Sequence, residues 1–119
     1  MRWRSSAPTT PRKMSTDPIA VAGAPERGQE HVVHLDGEID VSRSGAIGDQ
    51  ICERVATGTS VVVVCASVTF IESRGLAMMA RVQRVARESG CRLVWRGLPL
   101  TALRTIHLCG LDEYLDIEA

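Results

Sequence analysis

Four consecutive valines, Val61 to Val64, stand near the middle of the chain with no polar residue among them. A β-branched run of this kind favours a strand, and the lack of polar alternation means that both faces of that strand are covered. Strands covered on both faces are typical of parallel sheets, which are joined by helical crossovers. The run therefore predicts an α/β protein in which this segment is the central strand.

Helical patterns lie on both sides of the valine run. Ahead of it, apolar residues recur at intervals of four, and Ser42 or Ser44 is a suitable N-cap for a helix that ends near Gly58. After it, residues 74–89 predict a second amphipathic helix with Ser73 as its N-cap. The predicted buried stripes are Ile47, Ile51 and Val55 in the first helix and Leu76, Met79, Val82 and Ala86 in the second.

The remaining segments continue the alternation of strands and helices. Residues 19–22 and 31–35 predict two short strands joined by a turn, and residues 91–95 predict a further strand. Residues 99–109 predict a third helix, which ends at Gly110 before the chain returns to the sheet. The predicted fold is a single α/β domain with a mixed, mostly parallel sheet of about four or five strands and helices packed against it.

The 119 residues leave room for one domain. Residues 1–17 are rich in Ser, Thr, Pro and basic residues, so we predict a disordered tail followed by a domain at residues 18–119. A true translation start at Met14 is an equally open explanation of this segment. No apolar run approaches the ~20 residues of a membrane span, and no signal-peptide core is present. We therefore predict a cytoplasmic protein with no membrane contact.

Charge and motifs argue against several classes of function. Lys plus Arg number 14 and Asp plus Glu number 14, so no net charge draws the chain to nucleic acid. The chain lacks the nucleotide-binding, metalloprotease and hydrolase signatures, and no histidine is placed as a general base for a Ser73 hydrolase. We predict no enzyme activity, cofactor or metal. The cysteines, which lack metal-site spacing, are predicted to be buried free thiols: Cys52, Cys65, Cys91 and Cys109.

Two short segments stand out from this background. Residues 36–40, Asp-Gly-Glu-Ile-Asp, place three carboxylates around a glycine at a predicted junction of strand and helix. On local grounds this is an acidic loop that favours a helix N-terminus. Residues 70–76, Phe-Ile-Glu-Ser-Arg-Gly-Leu, place Ser73 at the start of the clearest helix, where a plain N-cap is the simplest explanation.

Taken together, the two segments resemble the STAS domain family, named for sulphate transporters and anti-sigma factor antagonists. Members of that family have G-E-[IL]-D before the first helix, F-I-D-S-[SAT]-G-L at the start of the second, and G-L before the last strand. This chain has the corresponding residues in the same order, at 37–40, 70–76 and 110–111. The resemblance extends over residues 19–117 and implies the same α/β fold.

The resemblance also implies a function, which is to antagonise an anti-sigma factor and so release a sigma factor. In that family the serine after the acidic residue receives a phosphate from the anti-sigma factor, which is also a serine kinase. That serine corresponds to Ser73. From the two segments we predict that the partner-binding residues are Asp36, Gly37, Glu38, Asp40, Glu72, Ser73, Arg74 and Gly75.

Three positions differ from the family pattern. Glu72 stands where Asp is usual, Arg74 where a small residue is usual, and Cys65 where an Asp commonly ends the central strand. Arg74 and Cys65 support an alternative, in which the chain is a STAS subunit of a stress-signalling or lipid-transport complex and is not phosphorylated. A homodimer is also open.

Overall fold

The structure, a computed structural model, describes residues 19–21, 30–57 and 60–118. These residues form one five-stranded sheet and three α-helices. The strands are β1 (Ile19–Val21), β2 (Glu30–Ile39), β3 (Ser60–Ile71), β4 (Arg92–Arg96) and β5 (Ile117–Glu118). The helices are α1 (Val41–Thr57), α2 (Ser73–Ser89) and α3 (Leu100–Leu108), and a short 3₁₀ helix (Leu111–Glu113) precedes β5.

The sheet is mixed, with strand order β1-β2-β3-β4-β5. The first pair, β1 and β2, is antiparallel, and the other three pairs are parallel. Each parallel pair is joined by a helical crossover between neighbouring strands, and crossovers of one hand place their helices on the same face of the sheet. The predicted α/β domain with a mostly parallel sheet is therefore confirmed.

The hydrophobic core lies between the sheet and the helices. Both predicted stripes are buried in it: Ile47, Ile51 and Val55 from α1, and Leu76, Met79, Val82 and Ala86 from α2. Val61 and Val63 of β3 point into the same core. Val62 and its neighbour Val94 are also buried, but they lie outside this cluster. The prediction that the valine run is covered on both faces is thus confirmed for Val61 to Val63, whereas Val64 is half-buried.

The structure corrects one predicted boundary that matters for function. The strand predicted at residues 31–35 continues to Ile39, so residues 36–38 belong to β2 and do not form a loop. The strand can continue because its pairing with β3 shifts register between His34 and Asp36 and again between Gly37 and Glu38. The predicted tail at residues 1–17, the hairpin turn and Gly58 lie outside the described residues.

The cysteines differ in their exposure. Cys65 and Cys91 are buried and Cys52 is half-buried, but Cys109 is exposed. The prediction of a buried thiol is therefore wrong for Cys109, because this residue forms the C-cap of α3 rather than part of its buried face. Burial raises the pKa of Cys65 to about 12, so this thiol is protonated at neutral pH.

A buried polar network joins α2 to β4 and to the segment before β5. The side-chain oxygen of Gln83 accepts hydrogen bonds from the Trp95 indole N–H at 2.8 Å and from the Asp116 backbone N–H at 3.1 Å. Its amide nitrogen donates to the Leu93 carbonyl and to the Asp116 carboxylate. Gln83 is only 1% exposed, yet its amide has partners for both lone pairs and both hydrogens.

Candidate functional site

The two segments that stand out in the sequence meet at the carboxyl edge of the parallel sheet. Ile39 at the end of β2 pairs with Ile71 at the end of β3. The Glu72 backbone N–H then donates to the Ile39 carbonyl at 3.0 Å. Helices α1 and α2 begin immediately beyond, at Val41 and Ser73. This edge is where α/β proteins commonly bind ligands and partners.

All eight predicted site residues lie at this edge, in two adjacent groups. Asp36, Gly37 and Glu38 lie near the end of β2 and Asp40 follows it, and the group from Glu72 to Gly75 spans the junction of β3 and α2. The strand register brings the groups together, since Glu38 lies opposite Phe70. Seven of the eight residues are exposed or half-buried, whereas Gly75 is buried.

Arg43 of α1 holds the irregular end of β2 in place. Gly37 has a φ of 69°, a conformation that favours glycine, and the strand bends there. The Arg43 guanidinium donates to the carbonyl oxygens of Asp36 and Glu38 and forms an ion pair with the Asp36 carboxylate at 3.2 Å. The sequence carries no signal for this role, because the carbonyls face Arg43 only after the strand has bent.

Asp40 is the N-cap of α1. Its carboxylate accepts hydrogen bonds from the backbone N–H groups of Ser42 at 3.1 Å and Arg43 at 3.2 Å. The Ser42 hydroxyl also donates to it at 2.7 Å, and this bond is the main reason that the pKa of Asp40 is lowered. The predicted cap at Ser42 or Ser44 is therefore wrong, because the helix begins earlier and an acceptor was already present at residue 40.

Replacing Asp40 with alanine should lower the thermal midpoint at neutral pH by a few degrees, because two N–H groups lose their acceptor. The lowered pKa means that this stabilisation is present above the ordinary aspartate pKa of 3.8 and is lost as the pH falls through the folded-state pKa. The difference between wild type and Asp40→Ala should therefore shrink in acid. Thermal denaturation between neutral and acidic pH measures it. Glu72→Ala is the control, since Glu72 makes no side-chain cap bond.

The start of α2 differs from that of α1. The N-cap is Glu72, which has extended backbone angles and no side-chain cap hydrogen bond. Ser73 is the first helical residue, so its predicted role as N-cap is wrong, because the helix starts one residue earlier than expected. Ser73 is exposed, and within the described part of the chain its hydroxyl has no hydrogen-bond partner. This hydroxyl is available for chemistry or contact from outside.

Large apolar side chains are exposed along the same edge. Val41 is 58% exposed, Phe70 52% and Leu100 67%. Val41 begins α1, Phe70 lies at the end of β3, and Leu100 begins α3 after β4, which ends opposite Val64 and so before the end of β3. We call Val41, Phe70, Ser73 and Arg74 the edge surface. Exposed apolar groups beside polar ones are typical of protein contact surfaces.

Two negative findings concern the described residues. Residues 19–21, 30–57 and 60–118 contain no helix with the length and apolar composition that a membrane crossing requires. The same part of the chain contains no group of three or more His, Cys, Asp or Glu side chains placed to hold a metal ion.

Comparison with protein families and solved structures gives a consistent result. A family model described as "Mlab, STAS domain" matches residues 22–117. An anti-sigma factor antagonist from Mycobacterium paratuberculosis is 30% identical, with a TM-score of 0.64 and coverage of 87% of this chain and 87% of that one. No curated protein sequence matches the chain significantly.

Two further structures share the fold at lower identity. The anti-sigma factor antagonist SpoIIAA in its unphosphorylated form is 16% identical, with a TM-score of 0.69 over 85% of this chain and 88% of that one. The phosphorylated form of SpoIIAA from Bacillus is also 16% identical, with a TM-score of 0.64 over 85% of this chain and 91% of that one. At this identity the likeness supports the fold alone.

Proposed function

Because the chain belongs to the STAS domain family, we propose that it is an anti-sigma factor antagonist, which binds an anti-sigma factor and thereby releases a sigma factor. The observation that carries this proposal is the position of Ser73 on the edge surface. The residue is exposed at the first turn of α2, at the edge that also exposes the apolar side chains of Val41 and Phe70. A partner can cover these apolar groups and the serine at the same time.

Phosphorylation of Ser73 would act as the switch in this proposal. A phosphate adds about −1.5 to −2 charges at neutral pH, and the N-terminus of α2 tolerates it because the helix dipole is positive there. Glu38 and Glu72 add negative charge at the same edge. A partner that has to desolvate this charge loses several kcal/mol, which is on the order of a thousandfold in affinity. No conformational change is needed.

The remaining site residues have two proposed roles, which are to contact the partner and to shape the site. Exposed Asp36, Glu38 and Arg74 are placed to contact the partner, whereas Gly37, held by Arg43, shapes the end of β2. We place this partner-binding domain at residues 18–119, preceded by a tail, and propose that it works in the cytoplasm, where sigma factors act.

One observation favours a second candidate, a STAS subunit that is not phosphorylated and belongs to a stress-signalling or lipid-transport complex. Arg74 puts a long cationic side chain directly beside the acceptor. A kinase that recognises a small neutral neighbour would have to accommodate it. Mass spectrometry of Ser73 in protein from the native cell separates the two candidates, since only the first requires phosphoserine at that position.

The proposed function is tested with the anti-sigma factor that copurifies with the chain, identified by mass spectrometry and measured by calorimetry. Ser73→Ala should bind as wild type does and keep its thermal midpoint, because the hydroxyl makes no cap bond. Ser73→Glu should keep the fold but lose at least about tenfold in affinity, because it places charge inside the contact.

The matched control is Ser89→Glu, which adds the same charge at the far end of α2. Its affinity should equal that of wild type. Equal affinities of the Ser73→Ala and Ser73→Glu proteins would instead show that the start of α2 lies outside the interface.

A further inference from the structure

A small groove lies between the N-terminal halves of α1 and α2. Its volume is about 210 Å³, and it is lined by Ser44, Gly45, Arg74, Ala77, Met78 and Arg81. Three of these residues, Ser44, Gly45 and Ala77, are small and leave space between the helices. A Cβ atom built on Gly45 would have no other atom within 4 Å. The space is large enough for one side chain from outside.

The charge of this groove is unbalanced. Both Arg74 and Arg81 line it, and none of the residues that line it is acidic. Arg81 forms an ion pair with Asp49 at 3.3 Å. Arg74 is exposed and has no ion pair or hydrogen bond with any residue that the structure describes. A guanidinium of this kind is suited to a carboxylate, which it can bind through two parallel hydrogen bonds.

We propose that the groove receives an acidic side chain of the partner protein and that Arg74 pairs with its carboxylate. The inference rests on the proposed function, because Arg74 directly follows Ser73 and belongs to the edge surface. Apolar contacts at Val41 and Phe70 provide buried area, whereas a charge pair in a groove selects among partners. Arg74 is therefore a specificity-determining residue, which favours anti-sigma factors with an aspartate or glutamate at the matching position.

The same pairing couples Arg74 to the phosphorylation switch. A phosphate on Ser73 would offer Arg74 a competing anion on the adjacent residue. Phosphorylation would then weaken the complex in two ways, by adding charge that must be desolvated and by occupying the arginine that the partner's carboxylate needs.

Calorimetry with the copurified anti-sigma factor tests the inference. Arg74→Ala should weaken binding at least about tenfold, and Arg74→Glu should weaken it further, because a like charge then faces the partner's carboxylate. Wild-type affinity should fall as salt rises, and that of Arg74→Ala should depend less on salt. Gly45→Leu fills the groove without a change of charge and should also weaken binding. Arg74→Ala should leave the thermal midpoint almost unchanged, since Arg74 has no internal contact to lose, and Arg74→Glu should keep or slightly raise it, because the helix dipole favours a carboxylate in the first turn of α2.

The matched control is Arg84→Ala, which removes an exposed arginine of α2 that does not line the groove. Its affinity should stay within about twofold of wild type. The Arg74→Glu protein is also tested against partner variants in which one Asp or Glu is changed to Arg. The partner variant that restores binding identifies the paired residue. If Arg74→Ala binds as tightly as wild type while Ser73→Glu does not, the groove proposal is overturned and the proposed function stands. If no anti-sigma factor copurifies with the chain, both are overturned.

Discussion

Gly75→Ala should destabilise the protein by about 2–3 kcal/mol, although glycine to alanine in a helix is ordinarily a stabilising change. A Cβ at this position would lie 2.6 Å from the Ile71 side chain and 3.0 Å from both the carbonyl oxygen and a methyl carbon of Ile39. The carbonyl belongs to the backbone of β2 and also accepts the hydrogen bond from Glu72. It cannot rotate away, so α2 would have to move off the sheet.

Gly45→Ala is the matched control, because Gly45 is also a helical glycine but has open space where a Cβ would be. This variant should be stabilised by up to about 1 kcal/mol. Urea denaturation of both proteins measures the two free energies of unfolding. Equal values would contradict the close approach of α2 to β2. Since the start of α2 carries Ser73, Gly75→Ala should weaken partner binding as well.

Gln83→Leu should cost about 3 kcal/mol of stability, even though leucine is apolar and of similar size. The change leaves the Trp95 indole N–H and the Asp116 backbone N–H without their acceptor, and each unsatisfied buried group costs about 1–3 kcal/mol. Met79→Leu, one turn earlier on the buried face of α2, replaces one apolar side chain with another and should cost less than about 1.5 kcal/mol.

A double-mutant cycle separates the network from simple packing. Trp95→Phe removes the indole donor, so that Gln83→Leu in this background strands only one of the two N–H groups. The second change should therefore cost less in the Trp95→Phe protein than in wild type. Additive costs would show that the hydrogen bonds contribute little and that the shape of the side chain decides stability.

Much of the fold follows from local sequence patterns. The apolar stripes of α1 and α2 could be predicted because helical periodicity alone decides which side chains can face a sheet. The valine run of β3 could be predicted because uninterrupted β-branched residues leave no polar face. The two motifs located the candidate site because their order along the chain matches the order of elements that end at one edge of the sheet.

Other features depend on contacts that no local pattern reveals. Gln83 occupies a buried position that would suit an apolar residue, and its partners are an indole on β4 and the backbone of Asp116, which lies 33 residues away. Arg43 acts through carbonyls that face it only because β2 bends at Gly37. The helix caps were missed because Ser, Asp and Glu near a helix start compete, and only the position where the strand ends decides among them.

The agreement between strand order and chain order affects how the protein folds. Each parallel pair joins residues that are near in sequence, with Glu30 opposite Ser60, Ser60 opposite Arg92 and Trp95 opposite Ile117. Loops of such similar length cost similar entropy to close, and none requires the ends of the chain to meet first. Contacts of short range favour rapid folding. The β2-α1-β3 and β3-α2-β4 segments share β3. We therefore expect folding to begin at β3, with either segment packing onto it first.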